Sequence, residues 1–234
     1  MIYFRQLFDT ISSTYTYLLG DLTQREAVLI DPVREHVALY VSLLGEQGLK
    51  LRSVLETHVH ADHITGAALL REQTGAQTML SVYADAKCAD VHLHGGESLH
   101  FGSETVIVLA TPGHTQSCIS YLWRDRLFSG DALLIGTCGR TDFQGGDAGM
   151  LYDSITQKIW PLPDETLIYP CHDYQHKHVS SVAQERESNA RLSGKSRDEF
   201  IAMMSGLNLP MPRLIGQAVP ANQHCGRMGE SHGA

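Results

Sequence analysis

The sequence predicts an α/β protein, and three observations carry that prediction. Apolar, β-branched runs of strand length recur along the chain, amphipathic helical stretches lie between them, and several of the strand-type runs stop at a histidine or an aspartate. The first pair, "YTYLLGD" and "REAVLIDP", reads as a hairpin whose second arm ends at Pro32, which cannot donate to a ladder. Val37, Tyr40, Val41 and Leu44 then recur at helical spacing before Gly45 and Gly48. "SVLETH" returns to a short strand whose end carries a cluster of histidines. From Ile64 the run "ITGAALLREQTG" is helical, and "AQTMLSV" after it has strand character. "SETVIVLATPGHT", "CISYLWRDRLFSGDALL" and "ETLIYPCHD" are β-rich runs that stop at His114, Asp131 and His172. Between them, "AGMLYDSITQKIW" places Leu151, Ile155 and Ile159 on one helical face, which Pro161 closes. "SRDEFIAMMSGLN" opens with a capping-box pattern from Ser196 to Glu199, after which Pro210, Pro212 and Pro220 imply an irregular course.

At 234 residues an α/β chain buries a sizeable core without splitting, so one domain is expected over 1–234, with a flexible tail from about 227 to 234. Lys and Arg number 18 against 26 Asp and Glu, for a formal charge of −8. The positive residues do not cluster, which argues against a nucleic-acid partner. No apolar run reaches the roughly 18 residues that span a bilayer, and "MIYFRQLFDTISST" has the pattern of neither a signal nor a transit peptide. No membrane partner and a cytoplasmic location are therefore expected. The five cysteines, Cys88, Cys118, Cys138, Cys171 and Cys225, are odd in number and widely spread, so reduced thiols are the expected state. Histidine is in excess, with 13 residues, many in close groups.

The stretch "THVHADHITG" places His58, His60, Asp62 and His63 in a strand-to-helix loop. Imidazole and carboxylate suit divalent zinc, iron or manganese, and a spaced set on a loop converges on one point. Helix capping alone asks for one such residue rather than four. His114, Asp131 and His172, each at a strand end, complete the candidate site.

In order and spacing these motifs resemble the metallo-β-lactamase superfamily. The longer strings "THVHADHITG", "GDALLIGTCGRTDFQGGD", "IYPCHDY" and "AVPANQHCG" resemble the persulfide dioxygenases, with "CGRTDFQ" the discriminating piece. The resemblance runs from the first hairpin to about Gly226. It implies a four-layer αββα sandwich, the metallo-β-lactamase fold, where periodicity alone gives only α/β. It implies one Fe(II) per chain, held by His58, His114 and Asp131, with His60, Asp62, His63 and His172 near the metal as orienting or catalytic residues. Such a two-histidine, one-carboxylate face leaves positions for a sulfur donor and dioxygen. A hydrolytic zinc pair would use all seven residues. Residue identity in the first loop does not choose between iron and zinc, and the choice rests on the family strings.

The reaction the resemblance implies is oxidation of glutathione persulfide by dioxygen and water to sulfite and glutathione, with a homodimer as the assembly. Arg140 is positioned in sequence either to offer a planar fork to a substrate carboxylate or to pair with Asp142. Tyr174 contributes either a pocket hydroxyl or a packed ring. His92, His94, His100, His176 and His178 read as surface or turn residues. Cys225 either approaches the pocket mouth or is inert, and Cys171 reads as a buried small apolar residue that stands where similar proteins often carry alanine. The rival reading is a binuclear zinc thioester hydrolase similar to glyoxalase II, against which the segment after His172 is short for that family's helical substrate domain.

Overall fold

The computed structural model describes residues 1–227, so the expected tail at 227–234 lies outside the described residues except for Arg227. Two six-stranded mixed sheets stack face to face with helices on both outer surfaces, the expected four-layer α/β sandwich. The first sheet runs in sequence order: β1 (Ile2–Asp9), β2 (Thr14–Asp21), β3 (Glu26–Ile30), β4 (Lys50–Leu55), β5 (Gln77–Ser81) and β6 (Val91–Leu93). Its first three strands are antiparallel and the rest join in parallel. The second sheet is built from β7 (Ser98–Phe101), β8 (Glu104–Ala110), β9 (Ile119–Trp123), β10 (Arg126–Gly130), β11 (Leu167–Pro170) and β12 (Ser180–Ser181), with β10 and β11 its parallel pair.

The period-2 rule of a strand explains the layering. Along β2 and β3, Leu18 and Leu29 face the helices α1 (Val37–Gln47) and α2 (Ala67–Thr74), while Tyr17, Leu19, Val28 and Ile30 face the other sheet. There they meet Phe101, Tyr121, Trp123 and Phe128. Burying side chains of this size stabilises by roughly 1.5–3 kcal/mol each. On the far side, Leu127 and Ile168 pack against Leu151 of α3 (Ala148–Ser154) and Ile155 and Ile159 of the π turn that continues it. The three-residue apolar stripe read from the sequence is fully buried. Phe200 and Met204 of α5 (Arg197–Ser205) join the same cluster, and Ser196 and Glu199 form the expected reciprocal cap. Gly48 ends α1 in the left-handed region, at φ 60°, as the sequence punctuation implied.

Two expectations are corrected. Cys88 and Cys225 form a disulfide across a separation of 137 residues, whereas Cys118, Cys138 and Cys171 are free and buried. Spacing within the sequence carries no information about a pair brought together only by the fold. The chain after α5 is also not irregular throughout, because residues Ile215–Asn222 form a helix, here α6, that contains Pro220. Only one backbone N–H is missing there, and Ala218 and Ala221 are buried against the body of the protein. The short helix α4 (Val182–Ser188) had no counterpart in the sequence reading; Ser181 caps it by accepting from the Gln184 N–H. Among the described residues no helix is long and apolar enough to cross a membrane.

Candidate metal centre

The site lies where strands from both sheets end side by side. β4 runs into the loop bearing His58, His60, Asp62 and His63, and the Thr57 carbonyl of that loop accepts the Ile119 N–H at the start of β9, 2.9 Å away. β8 leads to His114, β10 ends at Gly130 and hands the chain to Asp131, and β11 leads to His172. At Gly130, φ is +55° and a Cβ would lie 2.8 Å from the Thr57 side chain, so both conformation and proximity require glycine.

The structure brings the sequence-derived residues into one cluster. Donor atoms of His58, His114 and Asp131 lie within 4.8 Å of one another, as do those of His60, Asp62 and His63, and those of Asp131, Cys171 and His172. His114 Nε2 is 3.4 Å from Asp131 Oδ2; His172 Nε2 is 3.6 Å from both Asp131 Oδ1 and Asp62 Oδ1.

The histidines share one arrangement: an outer nitrogen pinned by an acceptor and an inner nitrogen turned to the cluster. His114 Nδ1–H donates to the Arg140 carbonyl at 2.7 Å, His172 Nδ1–H to the Ser13 carbonyl at 3.1 Å, and His63 Nδ1–H to Asp62 Oδ2 at 3.0 Å. His60 Nε2–H donates to Asp31 Oδ1 at 3.1 Å. The Thr57 hydroxyl donates to Asp31 Oδ2 at 2.8 Å, which assigns it as acceptor for His58 Nδ1–H at 3.0 Å. His60 Nδ1, His63 Nε2 and Asp131 Oδ1 are buried with no hydrogen-bond partner. A burial this costly is normally compensated. Inward lone pairs and a bare carboxylate oxygen are a donor set that fits a divalent cation.

Protonation divides the cluster. Burial, reinforced by His60 and His114, pushes the His58 pKa well below the ordinary histidine value, leaving the neutral imidazole that ligation requires. At His172 burial pulls the same way, but the Asp131 and Asp62 carboxylates outweigh it and raise the pKa to about 9. His60 is likewise raised, against its burial, by Asp31. Asp62, opposed by its own burial, is held well below the usual carboxylate range by His172 and His63.

Three groups under the cluster escaped the sequence reading. Asp31 accepts the Thr57 N–H at 2.7 Å as well as Thr57 Oγ1 and His60 Nε2. Glu56, its pKa raised by burial, lies 3.3 Å from His60 Nε2 and accepts from the Thr65 hydroxyl. Asn222 donates to the His60 and His63 carbonyls at 2.9 and 2.8 Å. An acid before a proline in "IDP", and an acid interrupting an apolar strand end in "LETH", were the available signals.

At the rim, the Arg140 guanidinium is engaged by both oxygens of Asp142 at 2.6 Å and donates to the Pro210 carbonyl, also at 2.6 Å; it lies over the Phe143 ring. The Tyr174 ring stacks on His172 with centroids 5.9 Å apart and is 67% exposed. Cys171 is buried among Asp31, His60, Asp131 and His172, and burial keeps it a thiol by raising its pKa. Cys225 sits in the core between the first sheet and its helices, away from the mouth. His92, His94, His100, His176 and His178 are exposed, as expected.

Fold and cluster together define a metal-binding β-sandwich, and the comparison with known families gives that class a name. The family described as the metallo-beta-lactamase superfamily matches residues 9–172, and the chain belongs to it. Within that superfamily the chain groups with the persulfide dioxygenases. It is 49% identical over 228 residues to the human protein named persulfide dioxygenase ETHE1, mitochondrial, covering 96% of this chain and 89% of that one. The crystal structure of ETHE1 from Myxococcus xanthus matches with a TM-score of 0.94 at 55% identity, covering 96% of this chain and 100% of that chain. A hydroxyacylglutathione hydrolase from a Synechococcus strain is 34% identical over 207 residues, covering 84% of this chain and 78% of that protein.

Proposed function

We propose that the protein is an iron-dependent persulfide dioxygenase that converts glutathione persulfide, dioxygen and water to glutathione, sulfite and two protons. The observation that carries this reading is the convergence of His58, His114 and Asp131, all buried, on one point of a chain whose relatives at about half identity are named persulfide dioxygenases. In this reading these three residues hold one Fe(II). Bound there, the ion supplies a single centre at which the persulfide sulfur and dioxygen meet, which is the proximity the reaction needs.

The remaining roles belong to the chain's own groups. Thr57 and the Arg140 carbonyl orient His58 and His114 by taking their outer N–H groups. His172 holds a proton on Nε2 between the Asp131 and Asp62 carboxylates, on the cluster side, and is the proton store of the site, whereas the Nε2–H of His60 faces outward to Asp31 and fixes the ring. His63 steadies Asp62 through Nδ1. Arg140 and Tyr174 border the substrate. Because its fork is occupied by Asp142, Arg140 acts on the carrier thiol chiefly by fixing the 209–211 segment through the Leu209 and Pro210 carbonyls. A homodimer and a cytoplasmic location belong to the same proposal and are read by light scattering and by cell fractionation.

The test is metal analysis of protein purified without chelator, together with oxygen-electrode recording on addition of glutathione persulfide. About one iron per chain, oxygen uptake and sulfite release are expected, and Asp131→Ala removes all three. Two zinc ions per chain and thioester cleavage without oxygen uptake would replace this reading with the hydrolase one.

A further inference from the structure

The metal loop rests on a segment that is tied down covalently. Asn222, the last residue of α6, donates to the His60 and His63 carbonyls and accepts the Thr65 N–H at 2.9 Å. The Cys225 carbonyl accepts the Ala68 N–H, also at 2.9 Å, in the first turn of α2. Gly226 approaches Thr65 so closely that a Cβ would lie 2.0 Å from the Thr65 carbonyl oxygen. Residues 222–226 are therefore the floor under His60, His63 and the start of α2. The disulfide to Cys88 anchors this floor to the turn between β5 and β6. The two residues differ in access, since Cys225 is 2% exposed whereas Cys88 is half-buried in the turn, packed against the edge of the same core cluster.

We propose that Cys88–Cys225 is a thiol-exchange site through which a small thiol or persulfide sets how firmly the metal loop is held. The choice of a glutathione-class thiol as the exchanging species rests on the function proposed above, which releases that thiol and consumes its persulfide. The exchange itself does not rest on it. A thiol RSH attacks the Cys88 sulfur; the new R–S–Cys88 bond forms as the Cys88–Cys225 bond breaks, and Cys225 leaves carrying the proton as a buried thiol. A second RSH attacks the mixed disulfide, releasing RSSR and the Cys88 thiol. Two small thiols are oxidised to one disulfide while the protein disulfide is reduced to two thiols, and excess RSSR runs the sequence backwards.

Access directs the attack to Cys88, because exchange needs an open line to the sulfur. The consequence for the site follows from the contacts of the anchored segment: opening the bond leaves Asn222 and the Cys225 carbonyl to hold the metal loop and α2 by hydrogen bonds alone, and the 137-residue loop that is released lowers global stability through the unfolded chain.

The experiment equilibrates the iron-loaded protein in buffers of differing glutathione to glutathione-disulfide ratio. Each sample is alkylated and mapped by peptide mass spectrometry, and the rate of Fe(II) release to a chelator and the thermal midpoint are measured on the same sample. Cys88 and Cys225 are linked in disulfide-rich buffer and alkylated in thiol-rich buffer. Iron leaves the reduced form about tenfold faster, with a lower thermal midpoint, and re-oxidation restores both. Cys88→Ser, a change in a surface turn, releases iron at the fast rate in every buffer. An alkylatable Cys88 in disulfide-rich buffer, or equal release rates for the two redox forms, overturns the proposal. Redox-dependent release without any persulfide-driven oxygen uptake supports the exchange site while sinking the assigned reaction.

Discussion

Asp31→Asn isolates the buried anion on which the first metal loop is built. The carboxylate accepts three donors, Thr57 N–H, Thr57 Oγ1–H and His60 Nε2–H, and all of them are buried. Asparagine retains one acceptor oxygen and tolerates the residue's positive φ of 49°, so backbone strain is not part of the change. Charge-assisted bonds are worth about 1.5–3 kcal/mol each and neutral ones about 1, so replacing the anion costs roughly 3 kcal/mol. In a domain of this size each kcal/mol moves the thermal midpoint by about 2–4 °C, which places the expected drop near 6–12 °C. The same change frees the Thr57 hydroxyl, which otherwise holds His58 Nδ1, and Fe(II) affinity falls by about 10- to 100-fold. Calorimetry and competition against a chelator read the two effects separately. A variant with a native midpoint contradicts the energetic argument. One with a lowered midpoint and unchanged iron affinity contradicts the relay from Asp31 through Thr57 to His58.

Gly139→Ala attacks the same centre from the other side: a Cβ there would lie 2.3 Å from the Asp131 carbonyl oxygen and 2.9 Å from the His114 ring. Overpacking of this kind costs about 1–3 kcal/mol, and iron affinity, read by chelator competition, is expected to fall with it. Arg140→Ala should raise KM less than about tenfold with kcat unchanged, the signature of lost uniform binding; steady-state kinetics with an unaltered KM would remove Arg140 from the substrate site. In chelator-treated protein, His172 has a folded pKa of about 9, above its ordinary 6.5. A group raised by folding stabilises fully below its unfolded pKa, and that contribution fades as pH climbs through the folded value. The urea midpoint should therefore decline between pH 6.5 and 9, and His172→Gln should flatten the decline.

How much of this was legible in the sequence depended on whether a feature was local. The hairpin of β2 and β3, the apolar stripe of α1 before Gly48, the face formed by Leu151, Ile155 and Ile159, and the Ser196–Glu199 cap are each decided within a few residues, and each is present. β1 was missed because it is an edge strand of mostly half-buried residues and shows no clean alternation. The helical course through Pro220 was missed because local punctuation argued for a break, whereas burial of Ala218 and Ala221 decides it. At the site, the residues announced themselves by type and crowding. Their supports did not, because one aspartate, one glutamate and one asparagine have no pattern until the fold sets them beneath the loop.

That asymmetry bears on specificity among relatives sharing the cluster. Five histidines and two aspartates, His58, His60, Asp62, His63, His114, Asp131 and His172, are compatible with either a mononuclear or a binuclear centre. What differs among the donors in this chain is the protons they carry when no cation is bound. His58 is driven neutral by burial among other imidazoles, while His60 and His172 are driven toward the protonated form by Asp31, Asp131 and Asp62. A cation taken up at His60 or His172 displaces a proton that these carboxylates favour, so uptake there is expected to release protons and to weaken as pH falls. The buried acids behind the loop thus set the pH at which each of these histidines is free to ligate.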